Sequence, residues 1–319
     1  MPLTAVGVYA WLIPKLGLNF SQQAAFLAKS DWLAEEYSRI SPTFSELIRL
    51  IYQSAFSLLI SRNIGGETAQ YYNSNLWTMP IEFLGSVGLF TFYKLFLTPF
   101  VPYRTGQLIL VSALVYGLWN TPFYGFPVGA CLFIFQELIG SYQIEWRNPV
   151  RHAALASVGL ASLLGGLILG GTPFELNLPD HGFYASLALA INPFTMPLSA
   201  ITVMHNIGAC LLVISVILFA PVQRALESRL FQFLGKISFM VYLLQVPILC
   251  SLCAWIVLTF TPQLGYNSAV CAAALAYMMT LIPLACAFTI LFDIPAIRAS
   301  RVLGRFIDTA TASWKFPLR

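Results

Sequence analysis

The 319-residue chain has little charge: only 9% of its residues are Asp, Glu, Lys or Arg, whereas 58% are hydrophobic. Soluble domains carry about 25% charged residues, so this composition excludes an ordinary water-soluble protein. A disordered chain and a nucleic-acid-binding module are excluded as well, because both need many more charged residues. The composition therefore predicts a polytopic membrane protein.

Cysteine and histidine are also scarce, with six and three residues respectively. All six cysteines lie in apolar runs, not in loops where a disulfide would cross-link an extracytosolic fold. Cys250 and Cys253 form a C-x-x-C pair, but no second ligand pair lies nearby, and we predict no metal site. The sequence has no G-x-S-x-G, P-loop, G-x-G-x-x-G or H-E-x-x-H motif, which excludes the commonest signatures of soluble enzymes.

Hydrophobic segments of roughly membrane-spanning length recur along the whole chain. We predict an all-α fold, a polytopic transmembrane helical bundle of about eight spans that forms a single domain over 1–319. The predicted spans are Pro2–Leu18, Asn75–Leu97, Thr105–Asn120, Tyr124–Ser141, Ala153–Gly171, Ser199–Pro221, Ile237–Phe260 and Asn267–Leu291. The glycine pairs Gly125–Gly129 and Gly166–Gly170 have the G-x-x-x-G spacing typical of close helix packing.

The basic residues fall mainly on one side of this map. Most of the 17 Lys and Arg lie near Arg104, in 147–152, in 224–236 and in the tail from Arg298 onward, whereas the opposite loops are mainly acidic. The positive-inside rule then places both termini in the cytosol. The rule applies equally to the endoplasmic reticulum and the plasma membrane, so either membrane fits.

The extracytosolic segment 19–74 contains a helical pattern of its own. Apolar residues recur at helical spacing from Phe44 to Leu59, with Glu46, Arg49 and Gln53 between them. We predict an amphipathic helix that lies on the membrane surface or caps the bundle.

Three ionisable residues inside or near the spans are candidates for chemistry, since such groups are costly in lipid. Glu82 must be protonated, paired or facing a wet cavity. It either orients a substrate or catalytic group, or locks helices by hydrogen bonds to Tyr71 or His205. His205 is a candidate general base toward a hydroxyl, or a structural histidine near the interface. Glu137 either meets a polar or cationic ligand or is a carboxylate at headgroup level.

Two stretches resemble a known family. Leu76-Trp-Thr-Met-Pro-Ile-Glu-Phe-Leu-Gly-Ser and Leu234-Gly-Lys-Ile-Ser-Phe-Met-Val-Tyr-Leu-Leu-Gln are similar to two helix starts of the membrane acyltransferase-three family, especially its fungal branch. Shorter matches follow the family's order, at Tyr124–Glu137, at His205-Asn-Ile-Gly-Ala and at Asp293-Ile-Pro-Ala-Ile-Arg-Ala-Ser. The resemblance covers residues from about 75 to 301.

The resemblance implies an integral-membrane O-acyltransferase that moves an acetyl or other acyl group from acyl-CoA to a hydroxyl-bearing acceptor. The acceptor is a small molecule or a glycan, and a role in secondary metabolism is one expectation. Acyl-CoA is a co-substrate, and no permanently bound cofactor is expected. Glu82 and His205 are the expected catalytic residues.

The resemblance also implies which residues bind the substrates. Asn75 and Trp77 would shape the extracytosolic mouth, and Glu137 and Gln245 would contact substrate. The CoA phosphates would bind to Arg147, Arg151 and Arg298. Lipid headgroups could bind to the same arginines without any catalysis.

The chain also departs from the family. Family members carry an arginine and a histidine on an earlier span, followed by an S-G-F/Y span, and Gln245 stands where histidine is common. No histidine precedes His152. We therefore expect a chain that lacks the first two spans of the family. A catalytically inactive paralogue or partner subunit is the alternative function, and a transporter on the same bundle is a third.

Overall fold

The computed structural model describes residues 2–35, 43–52, 76, 78–94, 103–118, 121, 123–141, 149–173, 182–191 and 200–312. Within these ranges the chain is helical and contains no strand, as predicted for an all-α fold. The helices are α1 (Pro2–Lys15), α2 (Ser21–Ala28), α3 (Asp31–Glu35), α4 (Phe44–Tyr52), α5 (Thr78–Phe92), α6 (Arg104–Leu118), α7 (Gly125–Ser141), α8 (Pro149–Gly170), α9 (Gly182–Ile191), α10 (Ala200–Leu218), α11 (Ala220–Leu226), α12 (Arg229–Ile248), α13 (Ala254–Leu264), α14 (Tyr266–Phe288) and α15 (Ile294–Ala312).

Each of the eight predicted spans contains a helix, but the helices differ in length. Among the described residues, four stretches are long and apolar enough to cross a membrane: Ala153–Gly170, Ile201–Leu218, Arg229–Leu264 and Tyr266–Phe306. Helices α5 and α6 have 15 residues each, about 22 Å at 1.5 Å per residue, which is short of a hydrocarbon core about 30 Å thick. Four of the eight predicted spans therefore contain a candidate membrane-spanning helix among the described residues.

The chain divides into two compact units, Met1–Glu82 with Gln232–Arg319, and Phe83–Phe231. The core of the first unit is centred on α12, which supplies more of the described buried core residues than any other helix. Fully buried residues from α1, α12, α14 and the turn after α12 form this core: Val6, Ala10, Met240, Leu243, Leu244, Cys250 and Ala285.

Two helices of the first unit contain a π-helical turn. Such turns, Leu249–Cys253 and Thr289–Asp293, follow the helix-interior prolines Pro247 and Pro283. Proline lacks an N–H and clashes with the carbonyl four residues before it, so it disturbs the turn that precedes it, whereas both π turns follow their proline. The backbone carbonyl of Cys250 accepts a hydrogen bond of 3.2 Å from the N–H of Phe20, which docks the start of α2 on this turn.

Helix α4 lies within the range of the predicted amphipathic helix. Helix α4 carries an ion pair between Glu46 and Arg49, with 2.6 Å between the charged atoms, and exposes the apolar Phe44 and Ile48. Trp11 of α1 donates an indole hydrogen bond of 2.9 Å to the Thr43 carbonyl at the start of α4. The remainder of the predicted helix, beyond Tyr52, lies outside the described residues.

In the second unit, α8 and α10 pack through glycines. A Cβ on Gly208 would lie 2.6 Å from the backbone nitrogen of Gly170, and one on Gly166 would lie 2.8 Å from the Leu212 side chain. The prediction of close packing is thus confirmed at Gly166, whereas a Cβ on Gly170 itself would meet no described atom within 4 Å. Gly125 and Gly129 differ, since no described atom would lie within 4 Å of a Cβ at either position.

Candidate functional site

A hydrogen bond joins α5 to α12 inside the first unit. Thr78 Oγ1 and the Tyr242 hydroxyl oxygen lie 2.7 Å apart, and either hydroxyl can donate. Thr78 is the first residue of α5, and Tyr242 lies between the fully buried Met240 and the fully buried pair Leu243 and Leu244 on α12. The buried neighbours hold the tyrosine in place, so two polar groups 164 residues apart in sequence meet in a defined geometry.

Glu82 extends this polar site by one helical turn. It follows Thr78 by four residues on α5, which places both side chains on the same face of the helix. Its carboxylate is exposed and follows, by one turn of α5, the hydroxyl through which Thr78 contacts Tyr242. The site therefore combines a carboxylate, which accepts protons, with two hydroxyl groups that donate or accept hydrogen bonds.

Gln245 lies three residues after Tyr242 on α12, and helical geometry places the two on neighbouring positions of one face. It is half-buried. An amide binds a polar group as donor and acceptor but takes no proton near neutral pH. In this site Gln245 can orient a substrate, whereas Glu82 alone among these four groups can act as a base.

His205 belongs to the second unit, on α10. Its Nε2 lies 2.8 Å from the backbone carbonyl oxygen of Thr172, which follows α8. A carbonyl only accepts, so Nε2 carries the hydrogen and, in the neutral ring, Nδ1 carries the lone pair. The contact ties the end of α8 to α10, which is the structural role that the sequence left open beside a catalytic one.

Glu137 of α7 is paired with a cation in the same unit. Its Oε2 lies 2.6 Å from a guanidinium nitrogen of Arg104, so the two side chains form an ion pair. Arg104 also donates hydrogen bonds of 3.1 Å to the Tyr93 hydroxyl and 2.9 Å to Gln107 Oε1. The bond to Tyr93 raises the pKa of Arg104 most, against an opposing effect of burial, and the charge of Glu137 adds to the rise. Glu137 therefore faces a protein cation.

The other predicted site residues divide into two groups. Asn75, Trp77 and Arg147 lie outside the described residues. Arg151 is on α8, with its side chain outside them, and Arg298 is exposed on α15. Among the described residues, no group of three His, Cys, Asp or Glu side chains comes together as a metal site would require.

Sequence reasoning missed Thr78, Tyr242 and Tyr93. Thr78 and Tyr242 lie within the two stretches that resemble the acyltransferase-three family, so a search for polar residues inside those stretches would have found them. Tyr93 has no such signal, because one tyrosine near a helix end is ordinary in a membrane protein.

No family model, curated protein or solved structure matches the chain. The resemblance to acyltransferase-three proteins therefore rests on the two stretches and the shorter matches themselves.

Proposed function

We propose that the chain is an integral-membrane O-acyltransferase that transfers an acyl group, most simply acetyl, from acyl-CoA to a hydroxyl. The observation that carries the proposal is the Thr78–Tyr242 hydrogen bond, because each residue comes from one of the two stretches that resemble such enzymes. Two stretches that serve one reaction are expected to meet at one site, even when more than 150 positions separate them in sequence. Here they contribute a carboxylate, two hydroxyls and an amide to it.

The chemistry that this site offers is base-assisted attack of a hydroxyl on a thioester. In the proposed step the Glu82 carboxylate accepts the proton of the acceptor hydroxyl as its oxygen bonds to the acyl carbonyl carbon. The Tyr242 hydroxyl donates a hydrogen bond to the resulting oxyanion. The oxyanion then collapses, the carbon–sulfur bond breaks, and the leaving CoA thiolate takes the proton from Glu82, so that an ester and free CoA result.

The proposed topology has about eight spans with both termini in the cytosol, in the endoplasmic reticulum or the plasma membrane. On this orientation Arg298 is cytosolic, and Arg301 and Arg305 follow it by three and seven residues on the face of α15 that Arg298 shares. These exposed arginines, together with Arg147 and Arg151, would attract the CoA phosphates. Secondary metabolites and glycans remain the proposed acceptors.

Transport is less well supported than acyl transfer. Transporters place ions and substrates at helices that unwind in mid-membrane, and the helix-interior prolines Pro247 and Pro283 are the positions where such breaks would be sought. In the described structure the chain stays helical past both prolines through π-helical turns. No feature of the described residues specifically favours a catalytically inactive subunit. An activity assay distinguishes such a subunit from an enzyme.

The test measures acyl transfer by membranes that contain the full chain. Membranes are incubated with radiolabelled acetyl-CoA, and both free CoA thiol and label in extracted esters are counted. Glu82→Gln, which keeps the side-chain shape, should lower the rate at least tenfold at equal protein level, because it removes the base. Glu227→Gln, an exposed glutamate that ends α11, is the matched control and should leave the rate unchanged. An unchanged rate in Glu82→Gln, or no transfer above membranes that lack the chain, would overturn the proposal.

A further inference from the structure

An apolar groove with a positively charged end lies in the second unit, between α5 and α7. We define the α5–α7 groove by its lining residues, Leu89, Phe90, Tyr93, Gly129, Phe133 and Ile134, and its volume is about 480 Å³. Ile134 is fully buried and packs in one cluster with the fully buried Val111 of α6. The exposed rings of Phe90 and Phe133 form its outer rim. The groove therefore has a fixed inner wall and an outer side that is open to the surroundings.

Two cationic residues, Arg104 and Lys94, lie next to the Tyr93 end of the groove. Arg104 donates its hydrogen bond to the Tyr93 hydroxyl, and Lys94 is the next residue along the chain, one turn after Phe90. Lys94 is exposed. Glu137 offsets one of the two positive charges through its ion pair with Arg104, so the end of the groove keeps a net charge of about +1.

An apolar channel that ends in positive charge matches an amphiphile with a hydrocarbon chain and an anionic head. We propose that the α5–α7 groove binds an anionic glycerophospholipid, with one acyl chain along the groove and the phosphate near Lys94 and Arg104. On the orientation proposed above this end is cytosolic, which is the leaflet where anionic lipids concentrate. The site itself does not depend on acyl transfer.

A neighbouring groove is apolar along its described lining and has no charged end. It has a volume of about 300 Å³ and is lined only by apolar residues and glycines, among them Leu84, Gly88 and Phe126. A hydrocarbon chain suits both grooves equally, whereas an anionic head suits only the α5–α7 groove. Selectivity for headgroup charge is therefore the property that distinguishes the proposed site from ordinary contact with lipid.

Two glycines allow each groove to be filled separately. A Cβ at Gly129, on the α5–α7 groove, or at Gly88, on the neighbouring groove, would meet no described atom within 4 Å. Leucine at either position should therefore be tolerated by the fold, and leucine is a better helix former than glycine by about 0.8 kcal/mol. Gly129→Leu closes the proposed site and Gly88→Leu is its matched control.

The experiment counts lipids that stay bound to the purified full-length chain in native mass spectrometry. The chain is incubated with phosphatidylserine or phosphatidylcholine of identical acyl chains. The wild type should retain phosphatidylserine about fivefold more than phosphatidylcholine, as expected for one cation near a headgroup. Lys94→Gln should abolish this preference, whereas Lys236→Gln, at an exposed lysine of the first unit, should keep it. Gly129→Leu should lose the retained lipid and Gly88→Leu should keep it.

Several results would overturn the proposal. Equal retention of the two lipids by the wild type, or an unchanged preference in Lys94→Gln, would show that the charge near Tyr93 selects no headgroup. Equal loss of lipid in Gly129→Leu and Gly88→Leu would show a general lipid annulus. Displacement of bound phosphatidylserine by free CoA would assign the cations to the nucleotide instead. Acyl transfer is not measured, so failure here leaves the proposed enzyme activity unaffected.

Discussion

Gly208 of α10 lies against the backbone of Gly170 of α8, so closely that a Cβ on Gly208 would stand 2.6 Å from the Gly170 nitrogen. The obstacle is backbone, which no rotamer change can move aside. We therefore expect Gly208→Ala to force α8 and α10 apart and to lower the free energy of unfolding by about 1–3 kcal/mol. Thermal unfolding in detergent measures this loss.

Gly117→Ala is the control for this substitution. It lies on α6 with no described atom within 4 Å of its Cβ position, so alanine there should be neutral or stabilise the helix by up to about 1 kcal/mol. Equal unfolding temperatures for the two alanine variants would contradict the close packing of α8 on α10.

The pairing of Thr78 with Tyr242 predicts energetic coupling between the two hydroxyls. Removing either one in Thr78→Val or Tyr242→Phe loses the same hydrogen bond, worth about 0.6–1 kcal/mol. The loss of stability in the double variant should therefore be smaller than the sum of the two single losses by the value of one bond. A double-mutant cycle of unfolding free energies in detergent measures this coupling. Strict additivity would mean that the bond contributes nothing, and Tyr266→Phe at an exposed tyrosine controls for loss of a hydroxyl alone.

The sequence was sufficient to predict an all-α fold and a helix within every expected span, because hydrophobic runs of this length have few other ways to satisfy their backbone in lipid. It also located Gly166 as a packing residue. The π-helical turns after Pro247 and Pro283 were not predicted, since a proline signals a distortion without specifying how the helix continues.

Partners across helices were much harder to predict than the helices themselves. Hydropathy shows which residues avoid water but not which helix each one meets, so neither Tyr242 as the partner of Thr78 nor Thr172 as the partner of His205 could be derived. Arg104 was counted only as a basic residue in a connection, and its ion pair with Glu137 depends on α6 and α7 lying side by side. The role of each of these residues therefore depends on its neighbours in the folded structure.

The cluster around Arg104 predicts unequal effects for the two members of its ion pair. Both side chains are more than a third exposed, so the charge pair alone should contribute no more than about 1 kcal/mol. Glu137→Gln should therefore have a small effect on unfolding temperature. Arg104→Gln should have a larger one, because it also removes the hydrogen bonds to Tyr93 and Gln107, and Gln107 is buried.

Unfolding scans of the two variants at low and high salt test this difference. The effect of Glu137→Gln should shrink at high salt, since ions screen an exposed pair, whereas the effect of Arg104→Gln should largely persist. Arg298→Gln, an exposed arginine of α15, gives the baseline for loss of one positive charge. A Glu137→Gln variant that is less stable than Arg104→Gln would refute the ranking.

His205 allows a structural and a catalytic role to be separated by two substitutions. The Thr172 carbonyl accepts its hydrogen bond, and Thr172 is 5% exposed, so His205→Ala leaves this carbonyl without that donor and should cost about 1–3 kcal/mol of stability. Glutamine keeps an N–H donor of similar reach but cannot accept a proton. Under the structural role, His205→Gln should retain near wild-type stability together with acyl transfer in the acetyl-CoA assay. Loss of transfer in a stable His205→Gln variant would instead make His205 the base, and the role proposed for Glu82 would have to be given up.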